Sequence, residues 1–87
     1  MAERHNLWII SDEVYRSTIF NGEFLSIASI PGMRERTIIV NSLSKSHAMT
    51  GWRLGWTLGP VSASVHLENL AQCMLFGSPT VFRMPQR

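Results

Sequence analysis

Two short apolar runs, Leu7-Trp-Ile-Ile10 and Thr37-Ile-Ile-Val40, constrain this chain more than any other feature. An unbroken apolar run of this length, without polar alternation, is the pattern of a strand covered on both faces in a parallel sheet. The first run lies between Asn6 and Ser11, with Asp12 at its C-terminal end; the second is β-branched throughout. Further on, Trp52, Leu54, Trp56 and Leu58 alternate with Arg53, Gly55, Thr57 and Gly59. Period two predicts a third, half-buried strand with Arg53 on the face opposite the tryptophans.

The segments between these runs are short. Glu13 to Ser17 predicts a turn or two of helix, with Ser11 or Asp12 as an acceptable N-cap. Asn21-Gly22 and Pro31-Gly32 are breaks, and Ser26 to Ser29 fits one helical turn. Gly59-Pro60 stops the third strand, and Pro60 suits the first turn of a helix. From Val61 to Phe76 the apolar residues Val61, Val65, Leu70 and Met74 roughly follow a helical period, and Gly77-Ser-Pro79 supplies its stop. Residues 80–87 form a tail with no usable pattern. The resulting class is α/β, yet three strands and one long helix do not cover two sheet faces.

Composition points the same way. The 87 residues are 45% apolar and 16% charged, against about 25% charged in ordinary soluble domains. A chain this short buries only about 60–65% of its unfolded surface, so it needs more surface charge, and the deficit reads as the interior of something larger. The net charge of +2 is scattered, with Glu35 between Arg34 and Arg36, which is no nucleic-acid footprint. Cys73 is the single cysteine, so no internal disulfide forms and a reducing compartment is suitable. There is no run of about 18 apolar residues to span a membrane, and the polar N-terminus has no signal-peptide core. A cytoplasmic protein without nucleic-acid or membrane partners is expected. His5, His47, His66 and Cys73 show no metal-ligand spacing, and no metal site is expected.

The stretch from Asn41 to Arg53 concentrates hydroxyls, one lysine and one arginine directly after the second strand. A hydrophobic core would not select that mixture. In a loop leaving a buried strand, among Ser42, Ser44 and Ser46, Lys45 would be partly desolvated and so a better nucleophile for carbonyls; the alternative is a solvated surface charge. The planar fork of Arg53 suits a phosphate or carboxylate, or else an ordinary surface salt bridge. Ser42 could donate to the same anion. Asp12 stands at a strand's C-terminal end, where open α/β sheets bind ligands, or is simply an N-cap. Tyr15, three residues on, could present its phenol to the same ligand, or be a half-buried aromatic.

Taken jointly, Ser11-Asp-Glu-Val-Tyr15, Ser42-Leu-Ser-Lys45 and Gly51-Trp-Arg53 resemble the central part of a fold-type I, class I/II aminotransferase dependent on pyridoxal 5'-phosphate. The resemblance covers residues 7 to 79. It implies that residues 1–87 are part of the large, cofactor-binding domain, with 80–87 an atypical tail. It implies that Lys45 is the Schiff-base lysine and later moves a proton between substrate Cα and cofactor. It further implies that Asp12 pairs with the pyridine nitrogen, Tyr15 bonds the phenolic oxygen, and Ser42 and Arg53 hold the phosphate. The substrates would be an amino acid and a 2-oxo acid, and the full-length family is expected to be homodimeric. The run from Ser44 to Arg53, with His66-Leu-Glu-Asn-Leu70, is similar to bacterial enzymes that pass amino groups from amino acids such as arginine to pyruvate.

Family members are several times longer. Missing here are the upstream phosphate-binding glycine loop, the stacking aromatic, the asparagine beside the phenolic oxygen and the domain that binds the substrate carboxylate. The expectation is a truncated or frame-shifted product, or a piece of a gene, starting at an internal methionine and inactive alone. Two other readings stand beside it. One is a non-catalytic remnant that acts only by associating with another chain, through exposed apolar strands. The other is a serine acyl enzyme, since Ser42-Leu-Ser-Lys45 matches S-x-x-K; that motif should open a helix, whereas here it follows a strand.

Overall fold

A computed structural model describes residues 1–75. The expected stop at Gly77 to Pro79 and the tail 80–87 lie outside the described residues. Strands β1 (Ile9–Asp12), β2 (Thr37–Ser42) and β3 (Gly55–Leu58) form one sheet in the order β1-β2-β3. β1 and β2 are parallel, with Asp12 opposite Val40, while β2 and β3 are antiparallel, with Ser42 opposite Gly55. Two helices follow the strands, α1 (Leu43–Ser46) and α2 (Val61–Met74). The α/β class, the three strands and the one long helix match the expectation, but β3 is exposed at every position and not half-buried, because α2 buries only Ala63 and does not cover it.

β1 starts two residues later than the apolar run because Leu7 is engaged elsewhere. Its amide donates to the Ala2 carbonyl at 2.9 Å and its carbonyl accepts from Arg36 Nη1 at 3.3 Å, so neither group is available to a ladder. Along β1 the faces alternate: Ile9 and Ser11 are half-buried, Ile10 and Asp12 exposed. The half-buried face is the one covered by the crossover between β1 and β2. This connection carries 3₁₀ turns at Arg16–Thr18, Ile27–Ser29 and Arg34–Arg36, and the predicted turn at Ser26 to Ser29 is among them. The helical turn expected over Glu13 to Ser17 forms only as the 3₁₀ turn Arg16–Thr18, later and tighter than an α-helix. Asp12 Oδ1 accepts from the Val14 amide at 3.3 Å, an Asx turn that offers the backbone an alternative to a helix.

The third strand is shorter than its period-two pattern. Trp52 belongs to a 3₁₀ turn (Thr50–Trp52) and Arg53 is left-handed at φ 51°, a conformation that no strand continues. Pro60 precedes the first turn of α2 as its N-cap, and its carbonyl accepts from the Ala63 and Ser64 amides. α2 buries only Ala63 among its described residues, while Val61, Val65, Leu70 and Met74 are all exposed. Ile10 is 74% exposed. The apolar run of β1 is therefore uncovered on one face, as the shortage of helices implied.

Candidate functional site

The parallel strands end side by side, and the candidate residues gather at that end. Asn41, buried near the end of β2, accepts the Ser42 amide on its own Oδ1 at 2.8 Å. Ser42 keeps an extended backbone (φ −154°) and caps α1, its Oγ accepting from the Ser44 amide at 3.3 Å. The Ser42 carbonyl accepts from Ser46 Oγ at 3.3 Å, and Ser46 Oγ is 2.8 Å from His47 Nδ1. Lys45 is thus on a short helix and not in a loop. It is also exposed, so the desolvation expected for it is absent among the described residues. The S-x-x-K segment, set apart because it follows a strand, does both: it leaves β2 and opens α1.

Arg53 reaches the same place from the other side of the sheet edge. Its left-handed backbone turns the chain so that the Leu54 carbonyl accepts from the Leu43 amide at 3.2 Å. One guanidinium nitrogen, Nη1, donates to the Thr50 carbonyl at 3.1 Å. Arg53 therefore lies at the corner before β3, not on a strand face opposite the tryptophans. Ser42, Ser44 and Arg53 border one groove of about 650 Å³, whose apolar wall includes Val40, Leu54 and Leu70.

Asp12 and Tyr15 come from β1. Asp12 is exposed at the strand end and Tyr15 is 59% exposed just beyond it. The Tyr15 ring carries Lys45 Nζ over its face, 5.7 Å from the centroid. Val14, between the two, lines the groove shared by Ser42 and Arg53. The structure thus brings together Tyr15 with Lys45 and Ser42 with Arg53. Asp12 lies at the same end of the sheet, but its one side-chain hydrogen bond is to the Val14 amide, and none links it to Lys45 or Arg53 among the described residues. Two residues passed over in the sequence also help build this corner. Asn41 is a polar residue ending a β-branched run, and Glu13 follows Asp12 on the inward side of the strand alternation; both are buried.

The family model for class I and II aminotransferases matches residues 1–83. The chain belongs to the class I and II aminotransferases. Members of this family depend on pyridoxal 5'-phosphate and act on amino acids and 2-oxo acids. Among its aminotransferase relatives, arginine–pyruvate transaminase of Pseudomonas aeruginosa is 65% identical over 75 residues, covering 86% of this chain and 19% of that protein. Human kynurenine–oxoglutarate transaminase 1 is 41% identical over 81 residues, covering 92% and 19%. Among solved aminotransferases of fold type I, the aspartate aminotransferase of Thermotoga maritima superposes with a TM-score of 0.84 at 35% identity, covering 92% of this chain and 21% of that one. The N-succinyldiaminopimelate aminotransferase of Mycobacterium tuberculosis gives 0.81 at 36%, covering 85% and 20%. The chain spans about a fifth of the length of the aminotransferases it matches.

Proposed function

We propose that this chain is the cofactor-holding segment of an aminotransferase that moves an amino group from an amino acid to a 2-oxo acid, with Lys45 as its reactive amine. The observation that carries the reading is the convergence of a carboxylate, a phenol, an amine, a hydroxyl and a guanidinium at one end of the sheet. This donor set fits pyridoxal phosphate, which presents a ring nitrogen, a phenolic oxygen, an aldehyde and a phosphate. From β1 to β3 the edge spans two strand spacings, about 10 Å, the scale of one substituted ring with a phosphate arm. When bound, the cofactor supplies an electron sink for the electrons left on the substrate Cα.

Each side chain then has a separate task. The Asp12 carboxylate accepts a hydrogen bond from the protonated ring nitrogen and holds that charge in place. The Tyr15 hydroxyl donates to the phenolic oxygen. Ser42 accepts from the Ser44 amide, which leaves its hydroxyl proton to donate to the phosphate, and Arg53 presents a planar fork to the same anion. Lys45 would carry the proton lost from the substrate Cα. Such an amine needs to be neutral when it takes that proton and charged when it returns it.

The 65% identity to an arginine–pyruvate transaminase supports a basic amino acid as donor and pyruvate as acceptor. Because Lys45 and Tyr15 are exposed, the described residues form one wall of the site, and turnover needs further chain to close over it. The test is incubation with pyridoxal phosphate, borohydride reduction and peptide mapping. The adduct is expected on Lys45 in the protein carrying this segment and absent after Lys45→Ala. Lys45 is the single lysine of the 87 residues, so an adduct on any other group, or one retained in the variant, would sink the assignment. Transamination assays with arginine and pyruvate test the substrate pair.

A second reading, a non-catalytic chain that works by association, draws on the exposed apolar residues Ile10, Val61, Leu70 and Met74. Sedimentation separates the two. A monodisperse 87-residue monomer at micromolar concentration counts against association.

A further inference from the structure

We propose that Glu13 is a positioning residue for the cofactor site, holding Asp12 and Tyr15 in place through a buried hydrogen bond to Ser26. The inference rests on the cofactor reading above and adds to it a residue that touches none of the cofactor groups.

Glu13 is 3% exposed and sits between the two candidate cofactor contacts on β1. Strand alternation sends Asp12 to the open face and Glu13 to the covered one. There its Oε1 accepts from Ser26 Oγ at 2.6 Å and from Ser11 Oγ at 3.3 Å. The Ser26 bond is short, and it joins positions thirteen apart. Oε2 is buried with no partner among the described residues. The backbone of Glu13 is held as well: its amide donates to the Val40 carbonyl at 2.9 Å, extending the ladder one step past Asp12, and its carbonyl accepts from the Arg16 amide at 3.0 Å.

Burying a carboxylate is unfavourable unless hydrogen bonds compensate it, and here one oxygen is left without any. An apolar side chain would occupy the same place without that penalty. What an apolar side chain lacks is direction. The two serine hydroxyls aim at one oxygen, and this fixes the exit of β1 against the middle of the crossover. Asp12 lies immediately before the fixed point and Tyr15 two residues after it. Both are exposed and have few restraints of their own: Asp12 has the Asx bond to Val14, and Tyr15 the contact with Lys45. Without the Glu13 to Ser26 tie, the angle between the carboxylate and the phenol rests on the backbone bonds to Val40 and within the exposed turn, with no side chain bracing it against the crossover.

The variants are Glu13→Ala, Ser26→Ala and Glu13→Gln, made in the protein that carries this segment. Glutamine keeps an acceptor oxygen for both hydroxyls, and its amide nitrogen falls where Oε2 already has no partner. Pyridoxal phosphate affinity is read by absorbance titration, together with the pH at which the bound cofactor's absorbance changes, and amide exchange is followed over Val14 to Thr18. The two alanine variants are expected to lose affinity by roughly tenfold, the scale of one hydrogen bond to a charged group. They should also shift the pH midpoint and speed exchange at Arg16 and Thr18, while Glu13→Gln stays within about threefold of the parent. If the alanine variants lower only the unfolding midpoint and leave affinity and pH midpoint unchanged, Glu13 is a packing residue and the inference is wrong. If the parent protein itself gives no cofactor absorbance band, the functional reading fails, a result distinct from unaffected variants.

Discussion

Lys45 Nζ lies over the ring of Tyr15, 5.7 Å from its centroid, so the turn after β1 and helix α1 meet through a cation–π contact. In the proposed site the ring and the hydroxyl of Tyr15 have different tasks. The exposed contact is worth about 0.5–1 kcal/mol. Tyr15→Phe keeps the ring face and removes the phenol. The unfolding midpoint should therefore hold, while pyridoxal phosphate affinity falls about three- to tenfold, the loss of one neutral hydrogen bond. Tyr15→Ala should lose both. Equal affinity for cofactor in Tyr15→Phe and the parent would remove the phenol from the site.

Asp12 has a structural task and a proposed chemical one, and Asn separates them. Asp12→Asn keeps an oxygen for the Val14 amide, so stability should change by less than about 0.5 kcal/mol, as at other exposed sites. The amide cannot balance a protonated ring nitrogen. Turnover is expected to fall about a hundredfold or more, the scale seen when one electrostatic contact to developing charge is removed. A steady-state assay on the purified variant measures it.

How far the sequence could be read depended on whether local patterns decided the outcome. The runs at Leu7 to Ile10 and Thr37 to Val40 marked β1 and β2 because unbroken apolar residues have few other uses, and Gly59-Pro60 located the start of α2. Arg53 was misread because period two assumes that every residue stays extended, and a left-handed residue at the corner is not visible as a pattern when it is arginine and not glycine. Lys45 reads as a loop residue because it directly follows a buried strand, yet a serine before a four-residue helix is also an N-cap. Asp12, Tyr15 and Lys45 could be named one by one, but their meeting depends on the parallel register of β1 and β2, a long-range fact. Glu13 was hidden by the same alternation that exposes Asp12: an acidic residue beside another looks solvated until its buried partner, Ser26, is brought back by the crossover.

Ser42 caps α1 and, in the proposed site, donates to the phosphate. Ser42→Ala removes both functions, and loss of the cap should cost about 1 kcal/mol. Ser42→Asp is the informative partner, since aspartate caps helices as well as serine does. Its stability should equal the parent's, yet its carboxylate would face the phosphate beside Arg53. Cofactor affinity is therefore expected to fall further in Ser42→Asp than in Ser42→Ala, although the aspartate variant is the more stable. Denaturant unfolding and absorbance titration on the two proteins check this reversed order, and affinity that merely tracks stability would place the phosphate elsewhere.

Gly55 tests whether the corner between β2 and β3 tolerates any side chain. A Cβ there would stand 3.0 Å from the backbone oxygen of Asn41 and 3.5 Å from Ser42 Cβ. The Asn41 oxygen belongs to the main chain of β2 and cannot rotate aside, so the backbone must give by a few tenths of an ångström. Gly55→Ala should cost about 1–3 kcal/mol, the range for forcing an extra methyl into a packed place. Because the clash bears on the residue just before Ser42, cofactor affinity should weaken with it. Gly51 is the control within the same stretch: a Cβ there meets nothing within 4 Å and the backbone is not left-handed. Gly51→Ala should leave stability unchanged or raise it by about 0.4–1 kcal/mol through the entropy of the unfolded chain. Equal destabilisation by the two alanines, measured in the same denaturant series, would show that β3 does not pack against β2 as closely as the register requires.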